Sequence, residues 1–310
     1  MMKVTCYGPR GSIPTPSSTR ISTVKYGGDT SCYYVEAGPH KVILDCGSGI
    51  RQLGNDLMAR GEGIGKTFRV LLSHYHWDHV QGLPFFVPVY IRANTFYFHG
   101  FIPSSHEHGP RPQVEQMLQH QQSNPHFPVA HGALASKRFY QDHARQNPEK
   151  MVYRMVDGVS TEVSPSAASE PDDLSIQTIP LNHPDGCLSY RLEYRGAVLV
   201  YATDNEPLRK PNANLVKFGQ GAHLAVFDGQ YTEEQLAGSV QTYGHGSPEA
   251  CIDQAIACRV LALKIHHFDP NNSDGTLDEM QAQAQEYARQ VGYTGTMEFC
   301  RQGAVWVIGE

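Results

Sequence analysis

Short apolar, β-branched runs recur along the chain at 3–7, 32–37, 42–45, 68–73, 174–181, 188–194, 197–203, 224–228 and 261–266. Each has the length of a strand. Several are joined by tight turns, Ala37-Gly38-Pro39-His40 and Tyr194-Arg195-Gly196 among them, as antiparallel hairpins are. Between other runs the apolar spacing becomes helical. It predicts helices over 49–60 and 248–259, the second with Ser247 as N-cap. Thr276-Leu277-Asp278-Glu279 reads as a capping box that opens a third helix to about 290. Strands and helices therefore alternate in both halves, the pattern of a layered α/β sandwich. The stretch 92–157 differs, being rich in Pro, His and Gln. It reads as an insertion of loops and helices (113–122 and 133–146) covering one end of a single domain. An independent domain is the other reading, and its small size argues against it.

Composition narrows the picture. A chain of 310 residues, 40% hydrophobic, can bury a substantial core, and 18% charged residues argue against disorder or a coiled coil. The net charge of −6 gives no reason to expect long nucleic acid as a partner, since phosphate-backbone affinity needs concentrated Lys and Arg. It leaves room for a small anionic substrate, which responds to the local field of a site. The middle stretch carries Arg92, Arg111, Lys137, Arg138, Arg145, Lys150 and Arg154, but also five acidic residues, so it reads as a solvated face. Seven scattered cysteines without a CxxC spacing read as reduced, buried thiols. With no signal region and no apolar run of membrane-spanning length, the expectation is a soluble, cytoplasmic protein.

The strongest chemical signal is Ser73-His74-Tyr75-His76-Trp77-Asp78-His79, directly after the apolar run 68–72. In an extended segment, residues two apart point the same way, so His74 and His76 can grip one metal ion together. The chain then turns into a helix start, and Asp78 and His79 face a second ion nearby. Imidazole and carboxylate suit Zn²⁺, and also Mn²⁺ or Fe²⁺.

This pattern resembles the HxHxDH signature of the metallo-β-lactamase superfamily, whose fold is a four-layer αββα sandwich. The resemblance implies further ligands in order along the chain. They are His183 after a later strand, Asp204 as the bridge between two metals, and a last histidine after the final core strand. His266 and His267 compete for that last place, and the sequence His267-Phe268-Asp269-Pro270 favours His267. Asp45, after a hairpin, matches the aspartate that organises the metal loop. Gly8-Pro9-Arg10-Gly11-Ser12-Ile13-Pro14, Tyr26-Gly27-Gly28-Asp29-Thr30-Ser31-Cys32 and Tyr243-Gly244-His245-Gly246-Ser247-Pro248 are similar to segments of the ribonuclease Z and cyclic phosphodiesterase branch. In that branch a histidine at the position of His245 lies beside the metals and protonates the leaving group. Homodimers are common there, which leaves a homodimer open here.

The implied function is hydrolysis by two divalent ions, Zn or Mn with Fe also compatible, of a cyclic nucleotide or small nucleotide diester. Asp78 would orient the nucleophile and His245 would be the acid. A glyoxalase II-like thioesterase or lactonase is the alternative, because it uses the same ligand set. β-Lactam hydrolysis is disfavoured by Asp204, where those enzymes carry Cys, and di-iron redox chemistry by His76, where such relatives carry Glu. An inactive interaction module would have lost ligands, and none is lost. The departures from the branch are the absence of a basic Gly/Pro-rich arm and the presence of Gly246 between His245 and Ser247. His106-Glu107-His108 lacks supporting ligand spacing for a third metal. Asn124-Pro125-His126-Phe127-Pro128-Val129 resembles an element of bacterial relatives and reads as lining the substrate entrance.

Overall fold

The alternating runs become strands whose successive side chains enter different cores. The computed structural model describes residues 1–103, 113–144, 148–206, 211–238, 240 and 243–309. One sheet contains β1 (Met2–Gly8), β2 (Cys32–Ala37), β3 (His40–Leu44), β4 (Thr67–Leu71), β5 (Thr95–Phe101), β6 (Lys137–His143) and β15 (Val305–Ile308), in the order β15-β1-β2-β3-β4-β5-β6. The other contains β7 (Glu149–Val156), β8 (Val159–Val163), β9 (Leu174–Leu181), β10 (Cys187–Tyr194), β11 (Ala197–Ala202), β12 (Leu224–Asp228), β13 (Ala262–His266) and β14 (Thr296–Phe299). Its order is β14-β13-β12-β11-β10-β9-β7-β8.

Strand β11 shows how the layers form. Ala197, Leu199 and Tyr201 enter the core between the sheets with Val35, Leu44 and Leu192. Val198, Val200 and Ala202 face outward, against helices α4 (Ala213–Gly219), α6 (Pro248–Cys258) and α7 (Asp274–Gln290), with the short α5 (Glu233–Leu236) between α4 and α6 in the chain. On the far side of the first sheet, Ile43, Phe68 and Val70 pack against α1 (Ile50–Ala59), α2 (Trp77–Val80) and α3 (Gln113–Gln121). The result is the expected αββα sandwich. Strands β3–β6 run parallel, as do β11–β14, while β9 reaches the same direction as β11 through the antiparallel β10. The carboxyl ends of β3, β4, β9, β11, β12 and β13 consequently open on one edge, where ligands of open α/β sheets bind.

Two local expectations are corrected. The stretch 92–157 is not loops and helices alone. It holds β5, β6 and β7, and the helix expected over 133–146 is a short turn at His131–Ala133 followed by strand β6. Tertiary pairing overrides the polar composition there. Strand β6 lies at the sheet edge in parallel register with β5, Phe139 stacks on Tyr97 (centroids 5.0 Å apart), and Tyr140 stacks on Phe98 (5.6 Å). Helix 113–122 is present as α3. The second correction concerns α7. Its N-cap is Ser273, whose hydroxyl accepts from the Thr276 backbone N–H, so Thr276 already lies within the first turn. Ser247 does cap α6, accepting from the Ala250 N–H.

All seven cysteines are buried free thiols. Arg154 is held by Asp173 and Glu170. Arg111, Arg145 and the His106-Glu107-His108 run lie outside the described residues. No helix among the described residues is long and apolar enough to cross a membrane.

The cap assignment has a direct consequence. Ser273→Ala should lower the unfolding free energy by about 1 kcal/mol, and Thr276→Ala distinctly less, in equilibrium denaturation. The reverse order would return the cap to Thr276.

Candidate metal centre

The strand ends deliver the side chains. After β4 the chain bends at Ser73, runs on through His74 to an extended His76 and then starts α2, which carries the buried Asp78 and His79. His183 follows β9, Asp204 follows β11, Asp228 ends β12 and His267 follows β13. Ser12, Asp45, Asp204 and His267 all take left-handed backbone conformations (φ 65°, 58°, 51° and 66°). Such conformations are uncommon for non-glycine residues and cluster at functional sites. Gly11 must be glycine for a simpler reason, because a Cβ there would lie 2.4 Å from the His267 ring.

The side chains converge in overlapping groups around Asp204. His74, His76 and His183 converge within 4.8 Å, and the Nε2 atoms of His74 and His183 each lie 3.8 Å from Asp204 Oδ1. Asp78, His79 and His267 form another group, with His267 Nε2 3.1 Å from Asp78 Oδ2 and 3.2 Å from Asp204 Oδ1. His79 Nε2 lies 3.3 Å from Asp204 Oδ2. Every residue predicted for the site is thus brought together. His267 joins the cluster, while His266 lies in the inter-sheet core between the rings of Tyr33 and Tyr201, each centroid 5.5 Å away.

Behind the cluster stand acceptors that fix four of the imidazoles. His79 Nδ1 donates to Asp45 Oδ2 (2.8 Å), and His183 Nδ1 donates to the Gly244 carbonyl (2.9 Å). His267 Nδ1 meets Gln230 Oε1 at 3.2 Å, and His245 Nδ1 donates to Asp228 Oδ2 at 2.8 Å. Such partners fix the tautomer and leave the opposite nitrogen to face the centre. Asp228 and Gln230 escaped sequence reasoning. Asp228 ends an apolar run just as Asp204 nearly does, but strand-end aspartates commonly serve turns.

The electrostatics follow from burying many charges together. Burial pushes the His183 imidazole down to about 4 and that of His74 well below the ordinary range. Burial would do the same to His267, but Asp204, Asp78 and Asp228 outweigh it and raise its pKa to about 9. Asp204, Asp78 and Asp45 likewise hold His79 well above the usual histidine value. Burial opposes ionisation of Asp204, yet His267, His79 and His74 keep it far below the carboxylate range. The donor set fits divalent cations. It mixes imidazole nitrogens with buried carboxylates, and His74 Nε2 is buried with no hydrogen-bond partner while aimed into the cluster.

Because His267 and His79 hold protons that a cation must displace, Zn²⁺ uptake by chelator-treated protein at pH 7.5 should release protons, and affinity should strengthen as pH rises toward 9. Titration calorimetry in buffers of different ionisation enthalpy measures this, and uptake without proton release would contradict it. Asp45→Asn should weaken metal affinity roughly 10- to 100-fold by freeing His79. His267→Leu should lower the metal content and His266→Leu should not. Equal loss in both would remove His267 from the centre.

The chain is similar to ribonuclease Z of Mycolicibacterium gilvum, at 25% identity over 291 residues, 92% of this chain and 90% of that one. A ribonuclease Z of Bradyrhizobium sp. is 44% identical over 50 residues only, 16% of each chain. Among solved structures, a diphosphatase from the PhnP family superposes with a TM-score of 0.65 at 13% identity, covering all of this chain and 98% of the other, a likeness of fold. Residues 40–268 match the family described as the beta-lactamase superfamily domain, a span that includes every converging donor from His74 to His267, and the chain belongs to that superfamily.

Proposed function

We propose that this protein is a dinuclear metal-dependent phosphodiesterase acting on a cyclic nucleotide or small nucleotide diester. His74, His76, His183 and Asp204 would hold one divalent ion, and Asp78, His79, His267 and Asp204 a second, Zn²⁺ or Mn²⁺ with Fe²⁺ also compatible. Bound there, the ions would supply an activated water and neutralise charge on the phosphoryl oxygens. Asp78 is fixed to orient an attacking water, because the Ser12 N–H donates to its Oδ2 at 2.7 Å.

The observation that carries the reading is the His245–Asp228 pair. His245 stacks on His267 with centroids 4.8 Å apart, and its Nδ1 lies 3.7 Å from Asp204 Oδ1. Its Nδ1 proton is committed to Asp228, so Nε2, with no hydrogen bond among the described residues, is the nitrogen that can donate to a substrate. A proton donor at this place matters when the leaving group is an alkoxide, whose departure needs a proton. It matters little for a thiolate, which leaves readily without one. The kinship with ribonuclease Z and with the diphosphatase supports phosphorus chemistry.

The test is turnover of a chromogenic phosphodiester by Zn- and Mn-loaded protein, beside a thioester and a lactone. Asp204→Ala should abolish phosphodiester turnover. His245→Ala should lower kcat roughly 10²- to 10⁴-fold for an alkoxide leaving group and much less for nitrophenolate. Turnover of the thioester or lactone alone would overturn the proposal.

A further inference from the structure

We propose that the cleft beside the metal loop, walled by Trp77, Phe85 and Phe127, binds a nucleobase of the substrate. The inference rests on the phosphodiesterase reading and names the part of the substrate that this wall takes. The cleft measures about 570 Å³, and Val80 and Met117 extend its apolar lining. Trp77 is joined to His76 and Asp78 in the chain, so the cleft begins where the donor cluster ends. Its rings are held open to solvent. Trp77 is 78% exposed and Phe85 56%, and Phe85 meets Phe127 edge to face at 5.6 Å. Apolar surface left in water around a concavity marks a binding site.

Two further features define the guest. Among the described residues no Asp, Glu, Lys or Arg lines the cleft, so this lining favours a neutral group over a phosphate. His120 and His126 stand on its wall, and their imidazoles make no hydrogen bond among the described residues. They offer polar partners to the edge of a heterocycle, which an alkyl chain would leave unused. A flat base stacked on an aromatic face with its edge toward imidazoles satisfies both features, and stacking is worth roughly 5- to 150-fold in affinity per base.

The chain has two tryptophans, so Trp306→Phe leaves Trp77 as the sole indole reporter. In that background, adenosine should quench the fluorescence saturably, and ribose 5-phosphate should not. Phe127→Ala should weaken adenosine binding roughly 5- to 150-fold. Phe127→Leu, which keeps the wall filled, should weaken adenosine while sparing any binding of decanoate. Quenching by decanoate and not adenosine would assign the cleft to an acyl chain, and quenching by neither would remove it as a binding site. Either result overturns the proposal. Adenosine carries no phosphodiester, so its binding in a protein that hydrolyses no phosphodiester would sink the phosphodiesterase reading and leave the cleft's preference standing.

Discussion

The centre depends on one buried carboxylate. Asp45 is fully buried and accepts hydrogen bonds from the Ser73 N–H (2.7 Å), the Ser73 hydroxyl (2.8 Å), the Tyr201 hydroxyl (2.7 Å) and His79 Nδ1 (2.8 Å). A carboxylate moved out of water costs several kcal/mol unless its oxygens are satisfied, and here four donors satisfy them. Those donors come from the metal loop after β4 and, through Tyr201, from the opposite sheet. The same group therefore fixes the start of the loop, the His79 tautomer and the approach of the two sheets. Tyr190 adds a second tie, donating from β10 to the Leu72 carbonyl at 2.7 Å.

From that pin the rest of the site follows by charge balance. Asp78 and Asp204 stand among six histidines, and Asp228 reaches two of them from behind. Each carboxylate lowers the cost of positive charge in the cluster, and the backbone strain at Ser12, Asp45, Asp204 and His267 is tolerated because hydrogen bonds hold their surroundings in place. The arrangement is preorganised for cations in a water-poor setting. His76 is exposed, unlike His74 and His183 beside it.

Much of this was legible in the residues, for identifiable reasons. Strands 32–37 and 224–228 are legible to the residue because most of their successive side chains alternate between two apolar layers, and 174–181 because apolar and polar positions alternate along its first half. The donors were readable because metal chemistry restricts residue type and spacing, and a resemblance placed the distant ones. What failed depended on contacts that no local pattern carries. Strand β6 looks helical in composition, and only the aromatic stacking of Phe139 and Tyr140 across β5 makes it a strand. Asp228, Gln230 and Tyr201 act through partners 17 to 156 residues away. The left-handed backbone at His267, which no local pattern announces, accompanies the separation of His267 in the cluster from His266 in the core.

The central proposal is that Asp204 would join two cation sites into one unit. Electron paramagnetic resonance of Mn²⁺-loaded protein, with metal content measured on the same sample, tests it most directly. Two Mn²⁺ per chain with an exchange-coupled spectrum is the predicted result. A single ion per chain, or two ions giving uncoupled six-line spectra, would contradict it.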